Sequence, residues 1–405
     1  MNVIFIEPAF PPNQREFVRG LVAAGATVIG IGERPLDNLD GELRDWMLHY
    51  HQVGNVTDVG ALTDAVRWVQ SRLWVDRLEA AVEAHTMAAA EARENCGIPG
   101  TSVRTAYLCR DKPSMKQALR EVGVSTAASA AVHSSAAVRD FAASVGYPLI
   151  LKPRAAAGAS GTVRVDGHAE LDAALAAFGG VDSIAVEEFV EGHEAFYDTI
   201  SINGEPVYDF VTHYYPNVLE AMRTRWISPQ FITTNRVDTV PEYGEVRELG
   251  RRVVQALGIG TSATHMEWFF GPKGLRFSEI GCRPPGVRAW DLYAAGNDID
   301  IYHEWANAIV HGHVGRPLSR RRAAGIVALR PDRDGRISHY DGLDEVQQRF
   351  GEHILDVHLP SPGTPTQPVD AGYMANAWVR MVHSDYDTLR GMLDAVGQTL
   401  KVRAS

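Results

Sequence analysis

Residues 264–286 read THMEWFFGPKGLRFSEIGCRPPG. Two runs of aromatic and aliphatic residues, His265–Phe270 and Leu275–Ile280, flank Gly271-Pro272-Lys273-Gly274, a pattern that predicts a β-hairpin. A three-residue loop, Pro272-Lys273-Gly274, with Gly274 left-handed, pairs Gly271 with Leu275. That register sets Glu267 directly opposite Glu279. Two carboxylates facing each other across a strand pair repel by about 0.2–1 kcal/mol. A hard divalent cation between them removes the repulsion, and Mg²⁺ is held by one or two carboxylates plus substrate phosphates. Arg283 lies just past the second strand, where it can meet an anion. In isolation the pattern also fits an amphipathic hairpin with solvated acids, so the flanking sequence has to decide.

Upstream, Asp111 is a helix N-cap candidate, with Pro113 in the first turn and Gly123 after the last. A second helix is expected from Ser135 to Val145. Tyr147–Lys152 then reads as an apolar strand ending in a lysine, Ala155–Gly161 as a loop of small residues, and Thr162–Val165 as a returning strand. Such a loop can wrap phosphates: its backbone N–H groups, those of Gly158, Ser160 and Gly161 among them, reach the oxygens, and Lys152 adds a point charge. It is not a Walker-type loop, because a strand rather than a helix follows. Ser183–Val190 reads SIAVEEFV, an apolar strand interrupted by Glu187 and Glu188, and Glu194 starts the next strand. Asn203-Gly204 is a strong hairpin turn. Residues 214–236 lose periodicity and carry Arg223, Arg225 and Arg236, which suggests a long loop or lid.

Residues 1–100 alternate strand and helix patterns, which implies a parallel sheet covered by helices. The first turn, Glu7 to Pro12, has no glycines, which argues against dinucleotide binding. From Ala323 the pattern shifts to short β-like runs and a final helix, a small closing domain. The 405 residues suggest two or three domains. A formal net charge of −11 argues against nucleic acid as a main partner. Three scattered cysteines, Cys96, Cys109 and Cys282, offer neither a metal spacing nor a disulfide framework. With no leader-like N-terminus and no apolar run of membrane length, a cytoplasmic protein is expected.

Taken together, these stretches resemble the ATP-grasp superfamily, in its biotin-carboxylase-like branch, and most closely its carboxylate–amine ligases. RDKPSMKQALREVGVSTA is similar to the family's first helix, YPLILKPRAAAGASGTVRV to its phosphate flap, AVEEFVEGHE to its adenine hinge, and HMEWFFGPKGLRFSEIGCRPPG to its metal hairpin. The resemblance implies an N-terminal parallel-sheet α/β domain (1–105), an ATP-grasp small lobe (106–190), a large lobe with the metal hairpin (191–315) and a C-terminal α+β lobe (316–405). It implies that Lys112 contacts ATP and that Lys152 contacts its phosphates. Glu187, Glu188, Phe189 and Val190 would contact adenine, and Glu194 the ribose. Glu267 and Glu279 would hold one or two Mg²⁺ ions, with Mn²⁺ as an alternative, and Arg283 would face the transferred phosphoryl group. Lys152 and Arg283 are then the catalytic candidates, and His265, Arg283, Arg288 and Arg225 candidate substrate contacts.

The implied reaction joins a carboxylate to an amine through an acyl-phosphate, with release of ADP and phosphate. The partners would be small molecules, and a homodimer is compatible with the pattern. An ATP-dependent carboxylase acting on bicarbonate, or a nucleotide-binding protein without turnover, are the alternatives. Two departures bear on them. Gly281 stands where the family's metal motif often has asparagine, which removes one metal ligand. Pro284-Pro285-Gly286-Val287-Arg288 replaces the run in which biotin carboxylases carry a glutamate, which favours carboxylate–amine ligation over bicarbonate. The general base is left open between His265 and an acid.

Overall fold

The structure is a computed structural model that describes residues 1–153, 161–178 and 183–405. Val3–Ile6 is buried on both faces, as a central parallel strand requires. It lies in a four-stranded parallel sheet between Thr27–Gly32 and Arg77–Glu79, with Met47–Gln52 at the far edge. That edge strand has no apolar alternation in the sequence. The chain leaves the first strand towards one side and reaches the fourth on the other. The crevice at the carboxyl ends of these two strands is therefore a topological switch point, where open α/β sheets bind ligands.

A separate four-stranded antiparallel sheet contains Ser129–Val132, Leu149–Pro153, Val163–Val165 and Ile184–Glu188. An eight-stranded sheet runs from the hairpin Ser262–Gly271 and Gly274–Gly281 at one edge to Ile354–His358 at the other, and Ile337–Asp341 pairs separately with Lys401–Ala404. Gln230–Thr233, inside the stretch expected to be a loop or lid, is a strand of this sheet, paired with Glu205–Tyr215 and Ala323–Leu329. All four of its residues are buried. Four residues are too few to show a period, which is why the sequence concealed it. Through it the sheet continues into the C-terminal strands. Among the described residues no helix is long and apolar enough to cross a membrane.

The hairpin forms, but its register has a different origin from the one expected. Gly271 pairs with Gly274 rather than Leu275, and Phe270 pairs with Leu275. Gly274 does adopt the left-handed conformation, with φ +75°. A bulge at Ser278 then inserts one residue, so Trp268 pairs with Phe277 while Glu267 still pairs with Glu279. The bulge decides which face each side chain takes. Strict alternation would put Phe277 and Glu279 on one face. Instead Phe277 and Ile280 both enter the core beside Met266 and Trp268, and Glu279 is released to the opposite face.

Two glycines weld this hairpin to the hinge strand. A Cβ on Gly192 would lie 2.5 Å from the Phe270 carbonyl oxygen, and one on Gly271 would lie 2.1 Å from that of Glu191. No side chain fits either gap, so the hinge and the hairpin turn keep a fixed spacing.

Candidate functional site

The small sheet, the hairpin and the switch-point crevice close around a cavity of about 970 Å³. Glu267 and Glu279 enter it from the hairpin. Lys112 comes from the helix Lys112–Glu121, which Asp111 caps by accepting from the Ser114 N–H. Lys112 Nζ lies 3.0 Å from Glu279 Oε2. Burial and the facing Glu279 raise the pKa of Glu267. Burial works the same way on Glu279, but Lys112 and Lys152 outweigh it and hold that group below the usual carboxylate range. Among the described residues no three His, Cys, Asp or Glu side chains form a ready metal cage. Two opposed carboxylates beside a polyphosphate site are the donor set Mg²⁺ takes, with phosphate and water oxygens completing its shell. The residues present fit that ion.

Opposite the hairpin, one carboxylate serves two ammonium groups. Glu187 Oε1 is 2.8 Å from Lys116 Nζ, and Oε2 is 2.7 Å from Lys152 Nζ. Glu187 faces the cavity from the strand Ile184–Glu188 and is almost wholly buried. Burial opposes its charge, yet the two lysines prevail and bring its pKa to about 2. Burial, with repulsion from Lys152 added, pulls Lys116 down to about 8 against the attraction of Glu187. Lys116 was not anticipated. Its signal was the spacing in Asp111-Lys112-Pro113-Ser114-Met115-Lys116, which sets two lysines one turn apart on the same helix face.

Glu194 accepts from the Val218 N–H at 2.7 Å. Burial, then repulsion from Glu267, push its pKa up to about 8. The sign follows. A carboxyl that binds its proton more tightly when folded stabilises fully below its unfolded value, near 4.5, and loses that contribution as pH rises through about 8. Over this window Glu194→Gln is expected to flatten the decline in Tm of the ligand-free protein. Parallel wild-type and variant curves would remove Glu194 as the cause.

His265 also faces the cavity. Its Nδ1 is 2.8 Å from Asp198 Oδ1, and Tyr293 donates to Asp198 Oδ2 at 2.5 Å. Register places this pair side by side, since His265 pairs with Asp198 across the strands. Asp198 is 1% exposed. Burial disfavours the imidazolium, but Asp198 overcomes this and raises the His265 pKa. The sequence signal was an acid in the middle of the strand His193–Ile202. Asp198→Asn is expected to move the acidic limb of the pH–rate profile to lower pH, because the partner that favours the imidazolium is lost. An unmoved limb would show that His265 does not set it.

The remaining predicted residues divide. Glu188, Phe189 and Val190 line the cavity. Glu188 accepts from Ala128 N–H at 3.2 Å and pairs with Lys273. The Arg164 guanidinium lies 4.2 Å above the Phe189 ring. Arg283 reaches the cavity and pairs with Glu83 at 2.8 Å. Arg225 and Arg288 are not among the lining residues: Arg225 pairs with Asp334 at 2.7 Å, and Arg288 with Asp291 at 2.6 Å. Arg223 takes the position in the wall instead. Gly161 is an exposed turn residue with φ +67°. Gly158 and Ser160 lie outside the described residues.

A lysine-bearing antiparallel lobe facing a two-acid hairpin, with a hinge strand between, is the arrangement of an ATP-grasp domain. Residues 117–295 match the ATP-grasp domain family, so the chain carries that domain. Particular relatives are similar over longer stretches. An uncharacterized protein, y4rH, from Sinorhizobium fredii is 26% identical over 67% of this chain, and the match spans 56% of that protein's length. The L-arginine-specific L-amino acid ligase of Bacillus subtilis is 24% identical over 78% of this chain and 76% of its own. The crystal structure of an L-amino acid ligase from Bacillus licheniformis shares the fold, with a TM-score of 0.78 and 19% identity over 100% of this chain and 98% of that one.

Proposed function

We infer that this protein is an ATP-dependent carbon–nitrogen ligase. It activates a substrate carboxylate as an acyl-phosphate and joins it to an amine, releasing ADP and phosphate. The observation that carries this reading is the convergence of Glu267 and Glu279 with Lys112, Lys116 and Lys152 on one cavity. The similarity to amino acid ligases supports it and points to amino acids as the carboxylate and amine.

Lys112 and Lys152 neutralise the ATP phosphates, and Lys116 helps to hold Glu187 beside them. Glu188, Phe189 and Val190 bind the adenine, and Glu194 the ribose. Glu267 and Glu279 would hold one or two Mg²⁺ ions, which supply charge neutralisation at the transferred phosphoryl group. Arg283 steadies the same group and the acyl-phosphate. His265, oriented by Asp198, is the candidate to accept the proton of the incoming amine. No nucleophilic side chain is needed, because phosphoryl transfer of this kind rests on positioning and charge stabilisation. Residues 1–105, 106–190, 191–315 and 316–405 serve as the four functional units, and the cytoplasm is the proposed compartment.

The test is ADP release with MgATP, screened over paired amino acids and over bicarbonate. Release that requires both an acid and an amine is the expected result. Dependence on bicarbonate would replace this reading with a carboxylase. Silence with every combination would leave a nucleotide-binding protein.

A further inference from the structure

The hairpin's departure from the family motif has a counterpart in the N-terminal domain. Gly281 leaves space that Glu83 fills: a Cβ at position 281 would lie 3.1 Å from Glu83 Oε2 and 3.4 Å from Arg283 Nε. Glu83 lies on the short turn Glu83–His85, just beyond the strand Arg77–Glu79, at the switch-point crevice. It reaches across the domain boundary to place Oε2 2.8 Å from Arg283 Nε, and Oε1 is 3.9 Å from Arg110 Nε. Glu83, Arg110, Gly281 and Arg283 all line the cavity. The Glu83 and Arg283 side chains keep 27% and 20% of their accessible surface, so both can be reached from the cavity. A larger residue at 281 would press on this acid.

The wall therefore presents a guanidinium and a carboxylate side by side, next to the metal hairpin. An α-amino acid carries the complementary pair, a carboxylate and an ammonium on the same carbon. A simple carboxylic acid could satisfy Arg283 but offers no donor to Glu83, which would then compete with it for the guanidinium. Sites that hydrogen-bond a substrate polar group reject analogues lacking it far more strongly than apolar pockets reject a missing methylene.

We propose that Glu83 binds the α-ammonium of the carboxylate substrate while Arg283 takes its carboxylate, so that the acyl donor is an α-amino acid. Glu83 is then a specificity-determining residue, and the proposal rests on the ligase reading above. A cationic side chain elsewhere on the substrate is not required by this pair.

The experiment uses the full chain with MgATP. Paired L-amino acids are screened for ADP release. The active acyl donor is then compared with its des-amino analogue, in the wild type and in Glu83→Gln and Glu83→Asp. The wild type is expected to prefer the amino acid by about 10²-fold or more in kcat/KM. In Glu83→Gln that preference should fall below about tenfold, with Glu83→Asp retaining part of it. ATP affinity by calorimetry and the melting temperature should stay near wild type in both variants, a combination that a merely structural role for Glu83 would not produce. Equal use of the des-amino acid by the wild type overturns the proposal and leaves the ligase reading standing. So does full discrimination in Glu83→Gln. Absence of ADP release with every pair overturns the ligase reading, and the proposal with it.

Discussion

Glu279→Gln is expected to reduce ADP release by about 10³-fold or more while the protein stays folded. The substitution keeps the shape and removes one of the two charges that face each other across the hairpin. It also takes away the partner 3.0 Å from Lys112 Nζ. With one carboxylate left, the site would hold a divalent cation far less well, and charge developing at a transferred phosphoryl group would be less opposed. The fold should tolerate the change, because the lost ion pair is offset by relief of repulsion on Glu267. A stability within about 1 kcal/mol of wild type is expected, read by chemical denaturation. Near-normal ADP formation in the folded variant would end the assignment of this acid pair to a metal.

Glu187→Ala should have the largest effect on stability. It strands two buried ammonium groups, Lys116 and Lys152, which the wild type satisfies with a single carboxylate. Lys116 is 1% exposed. Removing one partner of a buried ion pair costs about 3–5 kcal/mol, because the remaining charge is left without compensation. Urea denaturation at neutral pH reads this directly. Lys116, whose pKa already lies near 8, is the group expected to give up its proton first in the variant. The loss should accordingly shrink at alkaline pH, where one stranded charge is removed. A variant as stable as wild type would mean that water or another acid neutralises the lysines, and that Glu187 does not organise this wall.

Much of this site was legible in the chain. Gly271 and Gly274 bracket a turn, the runs on either side carry strand-forming residues, and an acid lies in each. Asp111 before Lys112 marks the start of a helix. Apolar strands ending in Lys152 and Glu187 are local patterns of the same kind, and so is the Asn203-Gly204 turn. These features depend on residues within a few positions of one another, which is what a sequence displays.

What stayed hidden depends on distant partners. Gln230–Thr233 is too short to declare itself and becomes a strand only because two neighbouring strands offer it hydrogen bonds. Arg225 and Arg288 looked like anion contacts, but each meets an acid elsewhere, Asp334 and Asp291. Lys116 sits in the apolar stripe of its helix and gains its importance from Glu187.

By itself the sequence determined the chemistry available to this protein: two acids on a hairpin, lysines ahead of a small-residue flap, an arginine after the second acid, and glycine where asparagine is common. Only the tertiary structure decided how those groups are aimed. The bulge at Ser278 sends Phe277 inward and Glu279 outward, and Glu83 arrives from beside the N-terminal parallel sheet to occupy the space Gly281 leaves open. Side-chain type is a local property of the chain. Which face a side chain takes, and which charge it meets there, is set by packing between distant segments, 200 residues apart in the case of Glu83 and Arg283.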